Sequence, residues 1–537
     1  MKYASVRLKA TGIMAVVLVI LSAVVCLNVR AAEIINNGDY IYRLNEDGKT
    51  LSIVNYRGNS LYLKLPSKVD KYDVTVIESG AFMYNETIKD LEVSNTIKEI
   101  KSNAFSECKS LKKLTVPENV KEIGDSAFSG CKELKIVKIS DGTQRIGNYC
   151  FAGCGNLSEL TLPSKTDEIG EYAFFGCSEL EKIQLPKSFK RFGGYALEGT
   201  KWMANQKAEF LIVGDGLLLK YNGSNSKIDI PDNVKIVGEC AFAKNADIKE
   251  VNVSKNVSRI EKSAFSECVN LETVKLSENT VSIGQSAFKD CFLLDGITLS
   301  GKLEKISVGC FENCRSIQSV KIPDSVKVIE KNAFSGCNML QEAEMGKGVE
   351  TVEEKAFQDC TSLKRLEFFE KLKKIASLTC VNCHSLTRIE FKSAVTVPSL
   401  AFSDCAHLSE AVFYQTPADI EINAFNHCSE KFSLYGSDTK SMEKYAQKNK
   451  YELKGVNQLS LYTDKGILTP NDETEQNIFS GGHTAIIIII LMADCGVVAF
   501  FALYVLFSRP SRRGKKSDKN RKTDKNAPPR HSKRTQL

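Results

Sequence analysis

The chain is poor in histidine: five among 537 residues. His531 lies in a basic tail and His483 at the edge of a long apolar run, which leaves little for a nucleophile and base pair. No phosphate-binding glycine loop and no His-Glu-x-x-His stretch occurs. Carboxylates are plentiful but recur at offsets that read as a solvated face. Together these scarcities argue against an enzyme and against a cofactor. Basic charge is also scarce where it would matter. The net +7 arises at the ends, because residues 508–537 carry twelve Lys and Arg against two Asp, and Lys2, Arg7, Lys9 and Arg30 open the chain. The long middle is net acidic and offers no electrostatic footprint for nucleic acid.

With 43% hydrophobic and 26% charged residues the chain has the composition of a folded protein. Residues 1–32 have basic residues, an apolar run and small residues at Ala31 and Ala32, and read as a signal peptide; the apolar run is long, so an uncleaved anchor is the alternative. Residues 484–507 hold one charge, Asp494, and as a helix would rise roughly 36 Å, enough to cross a bilayer. The basic tail 508–537 after them is a positive-inside signal. A single-pass protein is expected in the cell membrane, with its repeats extracellular and its C-terminus cytoplasmic. The tail could also touch anionic lipid.

Between these ends one pattern recurs. "VKEIGDSAFSGCKELKIVKIS" (120–140) returns as "TQRIGNYCFAGCGNLSELTLP" (143–163). Phe82, Phe105, Phe128, Phe151 and Phe174 are 23 apart, Leu197 continues the series, and Phe242, Phe265, Phe288, Phe311, Phe334 and Phe357 resume it. Cys380, Phe402 and Phe425 complete fifteen units. An aliphatic residue stands five before the Phe, a Cys three after it, and an alternating run such as Leu111, Leu114 and Val116 follows, often closed by Pro. One unit cannot bury these apolar positions alone, so units must stack as a solenoid of short parallel β-strands joined by turns.

The landmarks, as in "EIGEYAFFGCSELEKIQLPKSF" and "VIEKNAFSGCNMLQEAEMG", closely resemble the BspA-like leucine-rich repeat surface protein family over about 66–430. The resemblance implies a curved right-handed leucine-rich repeat solenoid that is surface-exposed and serves binding or adhesion without catalysis.

The period breaks once, between Leu197 and Phe242, where Phe210 to Val213 and Leu217 to Tyr221 read as a hairpin across Gly214-Asp215-Gly216. Tyr56-Arg-Gly-Asn-Ser matches Tyr221-Asn-Gly-Ser-Asn, so the N-terminus should carry a related hairpin. The expected organisation is a signal peptide (1–32), a hairpin cap (33–65), a first run of repeats (66–197), a hairpin insertion (198–241), a second run (242–430), a C-terminal cap (431–456) with a helix over 437–449, a linker (457–483), a transmembrane helix (484–507) and the tail (508–537).

Eighteen cysteines in an exported chain suggest disulfides. Eleven of them, Cys108, Cys131, Cys154, Cys177, Cys268, Cys291, Cys314, Cys337, Cys360, Cys405 and Cys428, share one offset and should form an interior column of parallel thiols. Cys380, Cys383, His384, Cys405, His407, His427 and Cys428 gather within 49 residues, so a zinc site, a local disulfide and plain packing stand as alternatives there.

The alternation places polar residues outward on the strands. Candidate binding residues are Lys113, Thr115, Glu159, Thr161, Lys182, Gln184, Thr273, Lys275, Ser319, Lys321, Glu342, Glu344, Arg365, Glu367, Arg388 and Glu390. This ladder has mixed sign and no aromatic stripe, which suits a protein partner on a host or neighbouring cell better than a carbohydrate. A surface receptor that signals through a cytoplasmic partner recruited by the tail is the alternative.

Overall fold

The structure, a computed structural model, describes residues 33–459 except Ser188, together with 461–463 and 466–468. The signal peptide, the transmembrane helix, the basic tail and most of the linker lie outside the described residues. Among the described residues no helix is long and apolar enough to cross a membrane.

Each 23-residue unit forms one coil with three ladders to its neighbours. A short strand such as Glu122–Ile123 pairs in parallel with Glu99–Ile100 and Arg145–Ile146. A longer strand such as Ile136–Ile139 pairs in parallel with Lys113–Val116. The turn between them carries the third ladder, in which the Phe105 N–H donates to the Ala127 carbonyl (2.7 Å) and the Phe128 N–H to the Cys150 carbonyl (2.8 Å). The turn must bend sharply on both sides of the Phe. Ser126 (φ 56°) and Gly130 (φ 73°) flank Phe128 in the left-handed region, and the second bend recurs as Gly, Asp or Asn at Gly153, Asp290, Asn313 and Asp359, residues that tolerate it best. The Gly after the short strand answers a different need. A Cβ on Gly147 would lie 2.6 Å from the Gly124 carbonyl carbon, so glycine lets these two coils approach closely, while Lys101, Glu261 and Glu330 hold the same offset in other coils.

Inside the coil, Ile123, Ala127, Phe128, Cys131 and Leu134 are buried, and their equivalents stack into columns. The Phe rings lie 4.6–5.6 Å apart and within 13° of parallel in both runs. The stack stops at Cys380. There the bulk has moved to the end of the long strand, where Phe368, Phe391 and Phe413 stack at 5.5 and 5.0 Å and Phe391 meets Phe402 edge-on at 6.0 Å. Restoring the repeat with Cys380→Phe should therefore overpack the core and cost about 1–3 kcal/mol. A chemical denaturation midpoint equal to or above that of the parent would show that the space beside Phe391 is not filled.

Three segments punctuate the array. The N-terminal cap has one strand more than a hairpin: Ile34–Asn37, Tyr40–Leu44 and Thr50–Tyr56 form an antiparallel meander. Tyr62–Lys64 then pairs in parallel with Asp90–Glu92, so 62–64 already belong to the array. The internal hairpin, Phe210–Val213 with Leu217–Tyr221, repeats the end of this cap. Tyr221 packs on Phe242 at 5.2 Å as Tyr56 packs on Phe82 at 5.2 Å, and the Tyr221 N–H meets the Ala241 carbonyl as the Tyr56 N–H meets that of Ala81. The array thus restarts with a second cap. At the far end the helix Thr439–Asn449, N-capped by Asp438, buries Met442 and Ala446, and strand Glu452–Gly455 extends the long-strand sheet. Described by itself, the next unit contains a hairpin of Leu461–Thr463 with Gly466–Leu468.

Candidate binding face

On the long strands the side-chain period of two sends alternate residues outward. Glu159, Thr161, Lys182, Gln184, Lys275, Ser319, Lys321, Glu342, Glu344 and Arg365 are exposed, and Lys113, Thr115, Thr273 and Glu367 are half-buried. The structure distributes them over separate sheets. Lys113 and Thr115 share a four-stranded sheet of the first run, Glu159 to Gln184 form a two-stranded one, and Thr273 and Lys275 lie in a four-stranded sheet of the second run. Ser319 to Glu390 sit together on a seven-stranded sheet. Neighbouring coils pair their charges, as in Lys113 with Asp90 (3.2 Å), Lys275 with Glu250 (3.0 Å) and Lys321 with Glu344 (2.5 Å). Exposed pairs of this kind contribute about 0–1 kcal/mol each, so they solvate the face more than they hold it together.

Two expected outward residues are not exposed: Arg388 is 9% and Glu390 1% accessible. The reason lies on the following strand. Val412 stands beside Glu390 and the buried Glu410 beside Arg388, and Tyr414 closes on Glu390 through its hydroxyl. Glu390 is held by Arg388 (2.9 Å), by the Tyr414 hydroxyl (3.0 Å) and by Arg365. Arg388 also reaches Glu410 at 3.4 Å. Burial pushes the Glu410 carboxyl above its usual range, with Arg388 opposing. Nearby, the Lys392 ammonium sits 4.8 Å from the Phe369 ring centre and 2.8 Å from Glu367. This end of the face therefore combines arginine with aromatic rings, the side chains that dominate protein interfaces. The strand alternation could not reveal Phe369, Lys392 and Tyr414, because each follows the last strand residue. The signal available was the repeated Phe at 368, 391 and 413 directly before them.

A second aromatic feature lies on the turn side. Tyr149, Tyr172 and Tyr195 stack at 4.8 and 5.3 Å, all in the left-handed region two residues before the column position. Their faces cover one another, and the Phe175 ring meets Tyr172 edge-on at 5.5 Å.

The described cysteines are free thiols, and buried except for the half-buried Cys240 and Cys428. Each column thiol donates to the carbonyl of the Phe in the preceding coil, as Cys131 to Phe105 (3.2 Å), Cys291 to Phe265 (3.1 Å) and Cys314 to Phe288 (3.0 Å). Cys383 does the same to Phe357 and Cys405 to Cys380, which assigns both to the column. His407 Nδ1 bonds the His384 carbonyl at 2.7 Å and His427 Nδ1 bonds Asp404 at 2.8 Å. Among the described residues no three His, Cys, Asp or Glu side chains gather in a metal-binding arrangement.

The family model described as BspA type leucine rich repeat region matches residues 75–203, 219–341 and 337–454, in six copies. Similar solved structures include a leucine rich cell surface protein from Faecalibacterium prausnitzii A2-165, 25% identical, covering 64% of this chain and 94% of that one at a TM-score of 0.32. A leucine-rich repeat protein from Bacteroides ovatus ATCC 8483 is 23% identical over 64% of this chain and 99% of its own, TM-score 0.29. The pneumococcal vaccine antigen PcpA is 17% identical over 79% and 98%, TM-score 0.30. No curated protein matches the chain.

Proposed function

From the premise that this chain belongs to the BspA-type leucine-rich repeat family, we propose that it is a non-catalytic, membrane-anchored surface protein that adheres to proteins of a host or neighbouring cell. The observation that carries this reading is the outward face of the seven-stranded sheet, where mixed charges in register lead into the Arg365, Lys392 and Tyr414 cluster. Seven strands at ~4.8 Å span roughly 30 Å, the scale of a standard protein footprint. The apolar run 484–507 anchors the chain, the tail 508–537 stays in the cytoplasm beside anionic lipid, and the ladder residues from Lys113 to Glu344 extend the contact surface.

Cells displaying the full chain are expected to bind surfaces coated with host or neighbouring-cell surface proteins. Arg365→Ala combined with Tyr414→Ala should weaken adhesion roughly tenfold or more if these side chains are interface anchors. Removing 515–537 should leave adhesion intact, whereas a receptor working through its tail would lose its response. Adhesion indifferent to the paired substitution would place the contact elsewhere.

A further inference from the structure

The restart of the array leaves one ladder edge open. In regular coils the N–H groups two before, at and two after the column residue donate to the next coil: Tyr172 to Gly194, Phe174 to Ala196 and Gly176 to Glu198, at 2.8–3.1 Å. The corresponding donors one coil later are Tyr195, Leu197 and Gly199, and none of their N–H groups makes a hydrogen bond among the described residues. The acceptor that regular stacking would supply is taken, because the internal cap inserts Tyr221, whose own N–H occupies the Ala241 carbonyl at 2.9 Å.

The two runs nevertheless touch on one side of this seam. Glu239 accepts from the Gly194 N–H (3.0 Å) and pairs with Arg191 (2.8 Å), and Lys262 reaches back to Glu171 (2.9 Å). Pinned there, the coils splay on the other side into a cleft of about 340 Å³. Its walls include Leu197 and Glu198 on one side and Ala243 and Asn245 on the other, over a floor of Leu219 and Tyr221. Leu197 is buried, and a buried N–H without a partner is costly, so this edge demands an acceptor.

We propose that the seam is a docking slot for a peptide segment of a partner protein, held by main-chain hydrogen bonds from the Tyr195, Leu197 and Gly199 turn edge. Three donors on alternate residues call for three main-chain carbonyls of one segment, which is how every regular coil meets them. The charges that line the slot are already paired, Lys220 with Glu198 (3.1 Å), Glu239 with Arg191 (2.8 Å) and Lys244 with Glu267 (3.8 Å), so recognition rests on the partner's backbone. The slot is separate from the sheet face around Arg365, and either reading can fail without the other.

Two measurements on the purified chain decide the matter. Hydrogen exchange should find the Leu197 and Gly199 amides at least tenfold faster than those of Phe174 and Gly176. Linear peptides selected from a random displayed library should slow them. Capped synthetic copies of the selected peptides should lose at least tenfold in affinity when alternate backbone carbonyls are replaced by thiocarbonyls, which accept hydrogen bonds poorly, and little when the intervening ones are. Ala243→Trp should block the slot while Arg365→Ala leaves it open. Slow exchange in the free chain, a library that yields no linear binder, or binders indifferent to thiocarbonyl replacement and to Ala243→Trp would overturn the proposal. Protection of the edge in the unliganded chain by a second copy or by its own linker would do the same. The thiocarbonyl series alters only the peptide, so it remains decisive if Ala243→Trp folds poorly.

Discussion

Phe288→Ala is expected to lower stability by about 3–5 kcal/mol, the range for a buried aromatic truncated to leave a cavity. Phe288 is fully buried and its ring lies 5.2 Å from Phe265 and 5.5 Å from Phe311, tilted by 5° and 2°. Its backbone is tied twice to the next coil, since its N–H donates to the Cys310 carbonyl (2.9 Å) and its carbonyl accepts from the Cys314 thiol (3.0 Å). The neighbouring rings lose a face each and cannot close the gap without breaking the turn ladder. In a stacked array, stability is a sum of unit and interface terms, so damage spreads to adjacent coils. Hydrogen exchange should show protection lost across roughly the three coils around residue 288, while the first run keeps its own, buffered by the second cap at 210–221. A melting temperature equal to that of the parent would mean that the ring does not sit in the core.

The period was legible because burial repeats with it. Each landmark, Ile five before, Phe, Cys three after, is a column position, and column positions tolerate little change in volume. The hairpin strands beside Gly214 and Gly216 were legible for a local reason, two left-handed glycines between apolar runs. What the sequence pattern concealed depends on neighbours in space. Arg388 and Glu390 alternate as faithfully as Arg365 and Glu367, and they are buried because Glu410, Val412 and Tyr414 arrive from the next coil. Cysteine at the column could be assigned to packing, but not to its bond, because the acceptor carbonyl lies 26 residues back. Cys380 looked like a lapse in the pattern. Its coil carries Phe391 at the end of the long strand, edge-on to Phe402 of the next coil.

The thiol column sets the largest expected effect of solution conditions, an alkaline collapse of the array. Burial raises the pKa of Cys108 and Cys268 from 9.0 to about 12 and moves Cys131, Cys154, Cys291, Cys314, Cys337, Cys360, Cys383 and Cys428 in the same direction. A group whose pKa is higher folded than unfolded supports folding fully below the unfolded pKa. That support is lost as the pH rises through the window up to the folded value. Each such thiol removes about 1.4 kcal/mol per pH unit across its own window, and the losses along the column add. A described array of about 425 residues has roughly 20–60 kcal/mol to lose at typical stability per residue. Circular dichroism should therefore show a steep transition about one to two units above pH 9, in the range where exposed thiols are already ionised. Replacing Cys291, Cys314 and Cys337 together by Ala should make that transition shallower and shift it upward, at a modest cost in stability at neutral pH for the three lost S–H bonds. Iodoacetamide at pH 8 should label these thiols only as fast as the chain unfolds, because the column admits neither ionisation nor reagent. Rapid labelling of the native chain at pH 8, or an alkaline midpoint indifferent to the triple substitution, would show that the cysteines are not the buried column on which this expectation rests.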